Sequence, residues 1–117
     1  MSLDIFGKIP TNECKCPTCG HDFTQYQTVI EENITHNTKK MANQAGLLIL
    51  WECAGLSAWK VIVTIEEGLH DLKNKPEVYE PLGSKNGWGT RLQFIDWLEN
   101  LLRQLNRYPQ AELWSHT

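Results

Sequence analysis

No stretch of this 117-residue chain stays apolar over the 18 or more positions that a membrane-spanning helix needs. Residues 1–10 also lack the charged start and apolar middle of a secretory signal, so the expected compartment is the cytoplasm, with no membrane partner. Positive charge is scarce too. Lys and Arg number 11 against 14 Asp and Glu, for a formal charge of -3. That balance argues against a broad nucleic-acid face, whose affinity comes from clustered cations releasing counterions. Lys15, Lys39 and Lys40 leave an accessory role on nucleic acid as the least favoured reading. Also missing are a phosphate-cradling glycine loop, a nucleophile beside a base, and a pair of carboxylates at catalytic spacing, so no reaction class is specified. The chain has no internal repeat, linker or low-complexity tract.

What the chain does contain suits one core. Apolar residues make up 41% and charged residues 21%, an ordinary globular balance, and a chain of this length buries about two thirds of its unfolded surface. We expect a single α+β domain over residues 1–117. Leu3, Ile5 and Ile9 alternate with Asp4 and Lys8, the period of a half-buried strand that Pro10-Thr11-Asn12 should end. Residues 23–30 are rich in aromatic and β-branched side chains, so the two segments predict a hairpin. From Thr35 the spacing of Met41, Ala45, Leu48 and Glu52 turns helical, with the apolar run 47–51 as a buried end and Gly55 as the stop.

Ser57 is the expected N-cap of the clearest helix, whose apolar face is Ala58, Val61, Ile62, Ile65, Leu69 and Leu72 and which Pro76 halts. Residues 77–89, with Pro81, Gly83, Gly87 and Gly89, read as loop. Thr90 and Gln93 have the spacing of a capping box for a last helix with Phe94, Ile95, Leu98, Leu101, Leu102 and Leu105 on its core face and a surface pair of Glu99 with Arg103. Residues 111–115 fit a short edge strand. The expected architecture is a small antiparallel sheet, the N-terminal hairpin plus the C-terminal edge strand, packed against three helices. The cysteine turn stands at the hairpin tip.

Three of the four cysteines crowd into Cys14-Lys15-Cys16-Pro17-Thr18-Cys19-Gly20. In a reducing compartment, close-spaced thiols bind metal or do redox work in preference to forming disulfides. Cys16 and Cys19 can converge on one ion and Gly20 permits the turn beyond them, so residues 10–22 have the form of half a zinc knuckle. A thioredoxin-type pair would open a helix, whereas Gly20-His21-Asp22-Phe23 looks like re-entry into a strand. A closed structural zinc takes four ligands, and no second Cys-x-x-Cys or His pair supplies the rest. Cys14 is the candidate third ligand. His21, His36 and Cys53 compete for the remaining place: His21 by proximity, His36 at the expected start of the first helix, whose N-terminus favours the neutral, metal-binding imidazole, and Cys53 at that helix's expected end, although a lone cysteine is commonly a small buried hydrophobe. Zinc held this way supports folding rather than activating water.

Two polar segments remain. Asn33-Ile34-Thr35-His36-Asn37-Thr38 packs hydrogen-bonding side chains into a strand-to-helix junction, where they either cap the helix or receive a polar ligand. Asn86-Gly87-Trp88-Gly89 brackets an indole with glycines, as a tight loop or as the cover of a pocket. If the two helix starts share a side, Asn33, His36, Asn37 and Trp88 would line one ligand-binding cleft.

The run Asn33-Ile34-Thr35-His36-Asn37, followed by Met41-Ala42 and Ala45-Gly46 and then by Asn86-Gly87-Trp88-Gly89, resembles a group of short proteins of bacteria and their phages. The resemblance covers roughly residues 30–117 and implies no activity, so it gives no residue a catalytic role. Three functions are in competition. The first is a zinc-ordered, phage- or prophage-associated adaptor that meets a protein partner or itself through some of its five tryptophans, with Trp59 and Val63 as candidate surface. The second is a small enzyme or ligand binder around His36 and Trp88. The third is the nucleic-acid accessory role.

Overall fold

The computed structural model describes residues 2–15 and 22–117. Two long strands, β1 (Ser2–Lys15) and β2 (Asp22–Thr35), form an antiparallel hairpin. A third, β3 (Glu112–His116), returns from the C-terminal side to pair with β1, giving the order β2-β1-β3. The fold is α+β, as the residue pattern leads one to expect, and the hairpin is longer than that pattern suggests. Pro10 does not end β1. β3 reaches only as far as Lys8, and a register shift falls between Pro10 and Asn12. Pro10 therefore lies beside a bulge on a stretch with a strand on one side only, the settings that tolerate a residue without an N–H. A second shift falls after Gly7, whose missing side chain is replaced by Ile30: a Cβ there would lie 2.9 Å from Ile30 Cβ.

The helix expected over residues 35–53 is broken. A 3-10 turn (His36–Thr38) leads into a short α1 (Lys39–Gln44), and a second 3-10 turn (Leu48–Trp51) follows. Gly46, not Gly55, is the stop. It takes a φ of +74°, and Leu47 N–H donates to Ala42 O while Gly46 N–H donates to Asn43 O, the bond pair of a Schellman cap. The run that follows is buried at Leu47 and Leu50, as the reading of a buried end requires.

α2 (Ala58–Asn74) keeps its expected apolar face, with Ala58, Val61, Ile65, Leu69 and Leu72 buried and Ile62 partly so. Its cap is different. Ser57 makes no side-chain cap bond; Ala58 N–H donates to Ala111 O at 2.8 Å and Trp59 N–H to Pro109 O at 3.0 Å, so the segment leading into β3 satisfies the orphan donors. That segment was invisible from the neighbours of Ser57. Residues 77–89 are not all loop either. α3 (Pro76–Tyr79) begins with Pro76 in the first turn, where a missing N–H costs nothing, and a 3-10 turn (Glu80–Leu82) extends it. Tyr79 is fully buried, its hydroxyl donating to Asp71, and Arg91 clamps the region by donating to Leu72 O at 3.0 Å and pairing with Glu80 at 3.2 Å.

α4 (Arg91–Arg107) carries the expected capping box: Gln93 N–H donates to Thr90 Oγ1, and Gln93 Oε1 accepts from Thr90 N–H. Phe94, Ile95, Leu98, Leu101 and Leu105 are buried and Leu102 is only partly so. The pair of Glu99 with Arg103 is not formed; Glu99 meets Lys73 of α2 instead, at 3.1 Å. Four helices thus accompany the sheet where three were expected. Leu3, Ile5, Ile30 and Ile34 from the sheet share one core with α2 and α4. Glu32, on the same face of β2, accepts from Asn100 Nδ2 at 2.7 Å and from Gln104 Nε2, tying the hairpin to α4. No helix among the described residues is long and apolar enough to cross a membrane.

Candidate functional site

The two polar segments meet at the base of the hairpin. Thr35 and Thr38 serve as caps: Thr35 Oγ1 accepts from Asn37 N–H at 3.4 Å, and buried Thr38 donates to Thr35 O at 2.8 Å. Asn33 is spent across the strands, its amide donating to Ser2 and Asp4. Asn37 reaches the other segment and donates to Trp88 O at 3.1 Å. Gly89 is needed there twice over. Its φ is +84°, and a Cβ would lie 3.0 Å from both Asn37 Cβ and Thr35 Cγ2. The loop is shaped from within by Asn86, whose Oδ1 accepts from Trp88 N–H at 3.0 Å and from the Ser84 hydroxyl.

The single cleft imagined from the sequence is divided in two. One cleft, of about 360 Å³, is lined by Asn33, Ile34, Trp88, Gln93 and Trp97 among others; the second, of about 370 Å³, by His36, Asn37, Lys40, Pro81, Ser84 and Lys85 among others. His36 and Trp88 therefore face different spaces. Trp88 stands 71% exposed, so its indole is not the core-edge filler of a tight loop. Each cleft has a buried orphan donor among its lining residues, Trp97 Nε1 in the first and His36 Nε2 in the second.

His36 has its tautomer set by a neighbour. Trp51 Nε1–H donates to His36 Nδ1 at 3.4 Å, with the rings 6.1 Å apart, so the imidazole proton sits on Nε2. That N–H is buried and has no acceptor, at a cost of about 1–3 kcal/mol. His36 also lines a further hollow with Lys39, Lys40, Asn43 and Leu48. Among the described residues no Asp or Glu lines either space around His36. Among the described residues the ion pairs are Lys73–Glu99, Lys75–Asp71 and Arg91–Glu80, so Lys39, Lys40 and Lys85 have no acidic partner.

The metal candidates separate. Cys16, Cys19 and His21 lie outside the described residues. Cys14 is in β1, opposite Phe23, and the ladder runs on to Lys15 opposite Asp22. His36 follows Thr35, which pairs with Ser2 at the other end of the hairpin, about 40 Å along the strands at 3.3 Å per residue. A metal on its Nε2 would also cost the hydrogen bond from Trp51. Cys53 is fully buried, donates weakly to Leu50 O at 3.6 Å, and has its thiol pushed up mainly by burial, which is the behaviour of a small core residue. Among the described residues no group of three or more His, Cys, Asp or Glu side chains is placed to hold an ion.

The outer face of the sheet holds a feature that local pattern hides. Lys8 Nζ stands 4.7 Å from the centre of the Tyr26 ring and 4.8 Å from that of Trp114, one partner from each flanking strand. Both aromatic residues are exposed, as are Trp59 and Val63 on α2. Trp51 and Trp97 are partly buried. Comparison with protein-family models, with curated proteins and with solved structures finds no match to this chain.

Proposed function

We propose that this chain is a small zinc-binding adaptor, associated with bacteria or their phages, whose metal orders the end of a β-hairpin that meets a protein partner. The observation that carries the reading is the length of the hairpin. β3 pairs with β1 only over residues 4–8, so residues 9–15 of β1 have β2 alone beside them. Principal extents of 60 × 26 × 18 Å and a radius of gyration of 16.7 Å, against about 13 Å for a compact chain of this length, fit such a projection. A two-stranded ribbon is marginal in water, and a metal at its end is a physical means of holding it.

The ladder register supports a local ligand set. Cys16, Cys19 and His21 all fall in the six residues, 16–21, that link Lys15 to Asp22, and Cys14 lies one position before Lys15. Cys14, Cys16, Cys19 and His21 would make a three-thiolate, one-imidazole zinc site, closed and therefore structural. The exposed Tyr26 and Trp114, with the half-buried Lys8 between them, offer the partner an aromatic surface at the root of the ribbon. The contact between Asn37 and Trp88 makes one structural unit of the two motifs on which the phage resemblance rests.

Elemental analysis of the purified full chain tests the reading. About one zinc per chain is expected, retained in Cys53→Ser and lost in the double variant Cys16→Ser/Cys19→Ser. Chelation should raise amide exchange across residues 9–15 and 22–28 while leaving α2 and α4 protected. A folded, metal-free chain from zinc-replete cells would refute the proposal.

A further inference from the structure

We propose that the cleft between α1 and the loop at residues 83–85 binds a phosphoryl group through Lys40 and Lys85. Lys40 comes from α1 and Lys85 from the loop, and both line the 370 Å³ space that His36 also lines. The chain as a whole is acidic, yet no carboxylate lines this space or the adjoining hollow that adds Lys39, and none of the three lysines has an acidic partner among the described residues. Glu80, the acid next in sequence to the cleft's Pro81, is paired with Arg91. Unpaired like charges repel one another, and an anion between them removes that penalty.

The donor set selects the anion. Lysines act as movable point charges suited to a multi-oxygen dianion, whereas planar carboxylate recognition calls for the arginine fork, and no arginine lines the cleft. Two ammonium groups match the charge of about -1.5 to -2 that a phosphate monoester carries at neutral pH. Pro81 and Leu82 give the cleft an apolar side for the group that carries the phosphate. A small molecule and a nucleic-acid strand both present the same phosphoryl oxygens.

Amide NMR of the full chain titrated with sodium phosphate, at ionic strength held constant with sodium chloride, tests the site. Saturable shifts are expected at residues 36–40 and 83–86. Affinity should fall about tenfold for Lys40→Gln or Lys85→Gln and further in the double variant, and stay unchanged in Lys8→Gln. Two further arms use 5′-AMP and a single-stranded DNA oligonucleotide. AMP binding at least as tightly as the oligonucleotide assigns the phosphate to a small molecule; an oligonucleotide binding about tenfold tighter, with steep salt dependence, assigns it to a strand. Shifts that chloride alone reproduces, or an affinity that the folded double variant leaves intact, would overturn the proposal.

Discussion

Gly68 lies in the middle of α2, where glycine costs about 1 kcal/mol relative to alanine, so Gly68→Ala should stabilise the chain on helix propensity alone. The structure reverses that sign. A Cβ at position 68 would stand 2.6 Å from Leu47 Cγ and 2.7 and 2.8 Å from its two methyl carbons, well inside the 3.5–4.0 Å of an ordinary carbon contact. Leu47 is fully buried and has nowhere to withdraw. Overpacking of this kind costs about 1–3 kcal/mol, which leaves a net loss of up to about 2 kcal/mol after the propensity gain. Leu47→Ala alone should cost about 2–5 kcal/mol through the cavity it opens. Adding Gly68→Ala to that variant then removes no contact, restores the propensity and fills part of the void, so it should stabilise by about 1 kcal/mol. Urea unfolding of the four proteins, followed by circular dichroism in one zinc-containing buffer, gives the coupling energy, expected to be about 1–3 kcal/mol. If Gly68→Ala stabilises the parent chain, or has the same effect in both backgrounds, the close approach of α2 to residue 47 is wrong.

Thr90→Ala should remove one half of the capping box and cost about 1 kcal/mol, read from the same unfolding curves. Glu32→Ala should loosen α4 from the hairpin by about 1.5–3 kcal/mol, with faster amide exchange at residues 100–105 as its local signature. Tyr79→Phe tests the Asp71 bond through pH. The Tyr79 hydroxyl, and after it Lys75, hold the Asp71 carboxyl below its ordinary value, so its contribution is present above about pH 4 and is lost as the pH falls through the folded value. The tyrosine itself is raised by burial and by Asp71; its contribution is present below about pH 10 and is lost as the pH rises beyond that. In the phenylalanine variant, carbon NMR should show Asp71 titrating closer to an ordinary aspartate, and both slopes should flatten.

The elements that could be read from residues alone are those in which neighbours in sequence are also neighbours in space. The 3.6-residue stripes of α2 and α4 lie on the chain itself, and Thr90 and Gln93 satisfy each other across one turn. Elsewhere a distant partner decided. Ser57 lost its capping role to the backbone of Ala111 and Pro109, and Glu99 is not what Arg103 meets, because Lys73 of α2 holds Glu99. Pro10 stays in β1 because β3 stops at Lys8, and Gly46 divides an expected helix by taking a left-handed turn that the periodicity of its neighbours does not register.

The same division runs through the sites. Sequence by itself determined that the chain is α+β, that Cys14, Cys16 and Cys19 crowd into residues 14–19, and that two polar motifs precede helices. Only the tertiary structure decided that the antiparallel ladder carries His36 to the end of the hairpin away from Cys14, and that Cys53 belongs to the core. It likewise parted His36 from Trp88 into two clefts and set Lys40 beside Lys85 in one of them. Proximity along the chain is written in spacing, whereas proximity across the fold follows from strand register and helix packing, which no local spacing contains.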